Sequence, residues 1–124
     1  MSLTRVRFCA EADTRLRLLR ARTGLSANLL CRFGFSLSLA EPGAPDPAQY
    51  PEDSPREIER GTLVGRYDAL IIALLRQRCL ADQLPTYGDA FDAQLHAHMN
   101  RGVLLLYQRA KSLPDLCALA SGEG

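Results

Sequence analysis

RVRFCAEADTRLRLLRARTGLSANLLCRFGFSLSLA, residues 5–40, is the stretch whose reading decides the fold. Its opening, Arg5 to Cys9, alternates polar and apolar residues, the period of a strand with one dry face. Glu11 to Arg22 then switches to helical spacing: Ala12, Leu16 and Leu19 make an apolar stripe with Leu18 beside it, and Arg15, Arg17, Arg20 and Arg22 cover the rest. Thr23-Gly24 ends that helix, because glycine tolerates the left-handed conformation of a helix C-terminus. Ser26 is placed to cap a second helix running to about Leu39. That helix is apolar nearly all round, through Leu29, Leu30, Cys31, Phe33, Phe35, Leu37 and Leu39, so it belongs in a core or an oligomer interface. The strand has no convincing partner elsewhere in the chain, and pairing with the same strand of another copy is the natural solution. Val6, Phe8, Gly24, Leu29, Leu30, Phe33 and Leu37 are therefore the expected oligomer interface.

Downstream the pattern stays helical. Glu41 to Ser54 carries Pro42, Pro45, Pro47 and Pro51, a density that no regular element survives, and reads as an acidic, mobile surface loop. Thr62 to Leu84 reads as one strong helix with Thr62 as its cap, followed by a break at Pro85 and Gly88. Asp89 can cap a last helix to about Ser112, and the tail after Pro114 is expected to fray. The expected architecture is a single mainly α domain over residues 1–124: strand-helix-helix over 1–40, acidic Pro-rich loop over 41–60, two long helices over 61–113, tail over 114–124.

The net charge of +1 hides an asymmetry. From Met1 to Ala40 there are seven Arg against Glu11 and Asp13, a balance of +5; from Glu41 to Arg60 six acids oppose Arg56 and Arg60, a balance of −4. The first segment looks like a polyanion-facing surface. Lys111 is the only Lys. An arginine fork suits phosphates and guanine edges, while an arginine-biased genome accounts equally well for the choice. Arg5, Arg7, Arg15, Arg17, Arg20, Arg22 and Arg32 are the candidate DNA-binding cations, with Ser26 and Asn28 at a helix N-terminus whose free N–H groups favour phosphate. Strand, helix, Thr-Gly turn and helix is the ribbon-helix-helix order. The plainer alternative is a strand that only completes a dimer beside a solvated arginine face.

Other chemistry is poorly supported. Cys9, Cys31, Cys79 and Cys117 are scattered, without metal-ligand spacing, and read as reduced thiols of a cytoplasmic protein. His96 and His98 lie two apart on a helix and point in different directions, so no shared metal site is expected. Asp89 and Asp92 suit the first turn of their helix. No serine or cysteine has a local nucleophile signature, and Gly61 to Gly65 is too sparse for a phosphate loop. Asn100-Arg101-Gly102 reads either as close helix packing at Gly102 or as Asn100 and Arg101 facing a partner or DNA. No stretch approaches the roughly 20 apolar residues of a membrane helix. No enzyme activity, cofactor or metal is expected.

Four stretches together resemble the DndE family of the bacterial DNA phosphorothioation system: Arg22 to Arg32 (RTGLSANLLCR), Ser36 to Gly43 (SLSLAEPG), Tyr67 to Leu75 (YDALIIALL) and Asn100 to Tyr107 (NRGVLLLY). That system replaces a non-bridging phosphate oxygen of DNA with sulfur. The resemblance implies a helical protein similar to ribbon-helix-helix regulators at its N-terminus, a homotetramer, binding to duplex DNA with a liking for nicks, and a cysteine desulfurase, a sulfurtransferase-like and an ATPase-like protein as companions. It carries over no catalytic residue. Family DNA-binding positions are largely Lys, where this chain has Arg15, Arg17, Arg20 and Arg22. The functional expectation is a non-catalytic DNA-binding and assembly subunit; the alternatives are a ribbon-helix-helix transcriptional regulator and a pure protein–protein scaffold.

Overall fold

The computed structural model describes residues 1–110 and 113–121. Strand β1 (Arg5–Arg7) leads into helices α1 (Ala10–Thr23) and α2 (Ala27–Ala40); strand β2 (Glu57–Glu59) is followed by α3 (Arg60–Val64), α4 (Asp68–Ala81), α5 (Gly88–Arg109) and α6 (Leu113–Ala120). The strand, helix, turn and helix order over the first forty residues is as the sequence implies.

Local signals set the first two helices. Gly24 takes φ 74° and its N–H returns to the Arg20 carbonyl, closing α1. The Ser26 hydroxyl accepts from the Leu29 N–H at 3.3 Å and opens α2. Helix α2 packs chiefly along α5, which also receives α1. At their crossing Gly34 and Gly102 meet backbone to backbone: a Cβ on Gly34 would lie 2.6 Å from the Gly102 carbonyl carbon. Gly102 is thus a packing residue, and that alternative of the Asn100-Arg101-Gly102 reading holds.

The strand finds its partner inside the chain, correcting the expected pairing between copies. Antiparallel β2 sets Arg5 opposite Glu59, Val6 opposite Ile58 and Arg7 opposite Glu57. Phe8 N–H to the Arg56 carbonyl (3.0 Å) and Arg60 N–H to the Thr4 carbonyl (2.8 Å) extend the ladder. Val6 and Ile58 face inward, and the charged residues face solvent. Val6, Phe8 and Leu30 are fully buried in the chain's own core with Leu16, Leu19, Leu63, Leu75, Phe91, Leu95, Met99 and Leu106, and so present no surface to a second copy.

Three further expectations change. The helix expected from Thr62 is broken at Gly65, whose φ of 56° ends α3; a 3-10 turn over Gly65–Tyr67 leads into α4, and Glu59, not Thr62, precedes α3. The tail forms α6, with Leu116 buried. Lys111 and the expected helix end at Ser112 lie outside the described residues. The Pro-rich segment holds a 3-10 turn (Pro47–Gln49) and β2, and is tied down by side chains. The Gly43 carbonyl accepts from both Arg78 (2.6 Å) and Arg101 (2.8 Å), the Pro45 carbonyl from Gln94 (3.1 Å) and the Tyr50 carbonyl from His96 (2.7 Å). Such partners satisfy carbonyls that no ladder or helix reaches.

Candidate nucleic-acid interface

The solvent face of the β1–β2 ribbon carries Arg5, Arg7, Glu57 and Glu59. Glu57 bridges both arginines: Arg5 Nη1 reaches Oε1 and Arg7 Nη2 reaches Oε2, each at 2.8 Å. The hydrogen bond from Arg7, with the charges of Arg5 and Arg7, holds the Glu57 carboxyl below its ordinary range. The Arg7 guanidinium is pushed up in turn by the Glu57 hydrogen bond. The two strand cations are therefore compensated within the ribbon.

Helix α1 divides its arginines. At about 100° per residue, Arg17 and Arg20 lie along one side of the exposed arc and Arg15 and Arg22 along the other, with the uncharged ridge of Thr14, Leu18 and Ala21 between. On the first side, buried Asp13 accepts from Arg17 Nη2 at 2.6 Å and from Arg56 Nε at 2.5 Å. Burial would raise the Asp13 carboxyl, but the hydrogen bonds from Arg56 and Arg17 outweigh it and hold it below its ordinary value. Arg20 is exposed and has no ion pair among the described residues. On the second side, the guanidinium carbons of Arg15 and Arg22 lie 4.5 and 5.2 Å from the ring centre of Tyr107 on α5. A ring face holds such cations by their charge and leaves guanidinium edges free to donate to phosphate.

The turn between α1 and α2 offers less than expected. Ser26 spends its hydroxyl on Leu29 N–H, and Asn28 is half-buried. Arg32 turns inward: Nε donates to the Leu63 carbonyl at 2.7 Å and Nη2 to the Thr62 carbonyl at 3.4 Å, closing the C-terminus of α3. Of the expected oligomer residues, Gly24 and Leu29 are exposed, and Phe33 and Leu37 are half-buried.

The polar residues of α5 hold the fold together. Asn100 Oδ1 accepts from Cys9 N–H at 2.8 Å, and its Nδ2 donates to the Arg7 carbonyl at 3.3 Å, fastening the end of β1. Arg101 Nε donates to the Ser38 hydroxyl at 2.9 Å, and Ser38 Oγ lies 2.8 Å from His98 Nδ1. Burial, with the nearby charges of Arg101 and Arg78, lowers His98 to about 4, so the ring is neutral near neutral pH. Burial pushes the Cys31 thiol up to about 12 and raises Cys9 and Cys79 as well, keeping these thiols protonated. Among the described residues no three His, Cys, Asp or Glu side chains converge on a metal position. Nor is any described helix long and apolar enough to cross a membrane.

The ribbon, the arginine-bearing α1 and the α2–α5 crossing all fall within one family match. The family model for the DNA sulphur modification protein DndE matches residues 5–113. This chain belongs to the DndE family. Its fold is similar to the crystal structure of DndE from Escherichia coli B7A, involved in DNA phosphorothioation modification: TM-score 0.67 and 20% identity, covering 86% of this chain and 98% of that one. No match was found among curated proteins. Within this DndE-family chain the structure brings Arg5 and Arg7 together on Glu57 of the ribbon, and along α1 it sets Arg17 and Arg20 on one side and Arg15 and Arg22 on the other. It adds Arg56, Glu57 and Tyr107, which sequence reasoning missed. Arg56 and Glu57 were hidden in an acidic, Pro-rich segment, and Tyr107 in an apolar helix.

Proposed function

We propose that this DndE-family chain is a non-catalytic DNA-binding and assembly subunit of the bacterial DNA phosphorothioation machinery, acting in the cytoplasm beside its sulfurtransferase-like and ATPase-like companions and engaging duplex DNA, with nicks favoured. One observation carries the reading. Arg15, Arg20 and Arg22 flank the uncharged ridge of α1 without an ion-pair partner among the described residues. Cations that no carboxylate occupies are the ones that release DNA counterions. Contacts of this kind hold a backbone more than they read bases. The non-catalytic part is supported by the Ser38–His98 pair, which has the residue types of a hydrolytic dyad but lies fully buried at the α2–α5 crossing.

The test is a titration of intact and nicked duplexes with the wild type and an Arg15→Glu/Arg20→Glu/Arg22→Glu variant. Wild-type affinity should fall with salt at a logarithmic slope of about −0.9 per phosphate contacted, and the variant should lose binding while keeping its helical circular dichroism. Undiminished binding by the folded variant refutes the reading, and equal affinity for intact and nicked DNA removes the nick preference.

A pure scaffold is the second reading, favoured by the exposed apolar face of α4 (Leu70, Leu74 and Leu80). A faceted apolar surface of this kind is where soluble proteins meet partners, and a homotetramer built partly on it belongs to the proposal. Phosphorothioation retained in cells carrying the charge-reversed variant favours the scaffold. A ribbon-helix-helix regulator draws less support, because β1 spends its pairing on β2 within the chain.

A further inference from the structure

Arg5 and Arg7 stand on the same face of β1, two residues apart, and both guanidinium groups converge on one carboxylate. Two arginines aimed at a single pair of oxygens is the arrangement that binds a phosphodiester, whose two non-bridging oxygens take the same charge-assisted hydrogen bonds. We propose that the Arg5–Arg7 pair is a phosphate-binding element of the ribbon whose ligand position is filled in the free protein by Glu57, and that DNA engages the ribbon by displacing that carboxylate. The inference rests on the DNA-binding reading above and adds an internal competitor to it.

The geometry makes displacement easy at this position. The side chains are 63% exposed for Arg5, 46% for Arg7 and 32% for Glu57, so a released Glu57 stays in water and leaves no buried charge behind. Exposed ion pairs contribute little to stability. Val6 and Ile58 hold the ribbon from its other face, and the flanking backbone hydrogen bonds do not involve Glu57. Asp13 is the contrast. It also bridges two arginines, Arg17 and Arg56, but its side chain is 4% exposed and cannot leave without stranding charge. Both bridges border one shallow cleft of about 270 Å3, lined by Asp13, Arg17, Pro55, Arg56 and Glu57. Glu57 links the Arg5–Arg7 pair to this cleft, where Arg17 and Arg56 stand against buried Asp13, and Glu52 is a second, weaker carboxylate acting on Arg7. Glu57 therefore sets how strong a polyanion must be to engage the ribbon, and isolated carboxylates in solution compete poorly against it.

Glu59 supplies the control. It sits on the same solvent face, opposite Arg5, but bridges no arginine among the described residues. Neutralising Glu59 changes net charge by the same amount as neutralising Glu57 and leaves the Arg5–Arg7 position filled. Affinity for a short duplex at low salt is measured for wild type, Glu57→Gln, Glu59→Gln, and each substitution in an Arg5→Ala/Arg7→Ala background, with thermal unfolding confirming that all fold. Glu57→Gln should bind about threefold to tenfold more tightly than wild type, Glu59→Gln should gain distinctly less, and the Glu57→Gln advantage should vanish when Arg5 and Arg7 are absent. Equal gains from the two glutamines, or a Glu57→Gln gain that survives loss of both arginines, overturns the competitor while leaving DNA binding intact. Folded protein that binds no duplex in any form overturns both this inference and the DNA-binding reading.

Discussion

Gly102 occupies a helix interior, where glycine costs about 1 kcal/mol relative to alanine in an isolated helix. Here that preference is reversed, because the α2 backbone at Gly34 lies against the α5 backbone at Gly102. Gly102→Ala should therefore destabilise the protein by about 1–3 kcal/mol or more, read as a fall in the urea midpoint. A stabilised variant, as bare helix propensity requires, refutes the crossing. The triplet Asn100-Arg101-Gly102 was visible in the sequence as an interruption, yet its two readings were balanced. Nothing local says which way a helical side chain faces. Asn100 proved to hold β1, and Arg101 to bind Ser38 and Gly43. The same limit applies to Arg32. Its charge was countable from sequence, while its commitment to the Leu63 carbonyl depends on where α3 ends.

At the scale of elements, α1 and α2 were legible because their stop and start signals, Gly24 and Ser26, act within a few residues of themselves. Strand β2 was not. Glu57-Ile58-Glu59 has the same exposed-buried-exposed alternation as Arg5-Val6-Arg7, but three residues make no period above noise, and pairing with β1 spans about fifty residues of chain. The α3–α4 corner was missed for a related reason: Gly65 tolerates both a helix and the positive-φ turn it adopts, and the Arg32 guanidinium that fills the space a Cβ would need there comes from a distant helix. Helix α4 then buries only Ile71, Leu75 and Cys79, and leaves Leu70 and Leu80 55% and 65% exposed. If that face joins copies, Leu70→Glu/Leu74→Glu should lower the mass measured by light scattering in solution without loss of helicity. An unchanged assembly moves the interface elsewhere, with Leu29 on α2 an exposed aliphatic residue outside α4.

The whole molecule couples its core to acid through His98. The ring is fully buried, and its folded value of about 4 lies below the ordinary 6.5. Between these values the unfolded chain binds a proton that the folded chain refuses, so stability is complete above about pH 6.5 and falls as pH drops toward about 4. The linkage amounts to about 2 kcal/mol between about pH 7 and about pH 5, measured by urea unfolding at each pH. His98→Gln should flatten that window; an equally steep loss in the variant refutes the assignment. Further loss in stronger acid belongs to Asp13, whose depressed carboxyl contributes stability that disappears as it protonates.

By itself the sequence determined the helical class, the order strand-helix-turn-helix, the Gly24 end of α1 and the Ser26 start of α2, the basic character of the first forty residues and the resemblance to the DndE family, since each depends on neighbours within one or two turns or on residue identity alone. Only the tertiary structure decided that β1 pairs within the chain, that Val6, Phe8 and Leu30 are core, and which arginines are already neutralised. Charge compensation is a property of distance in space: Glu57 lies some fifty residues from Arg5 and Arg7 along the chain and 2.8 Å from each in the fold.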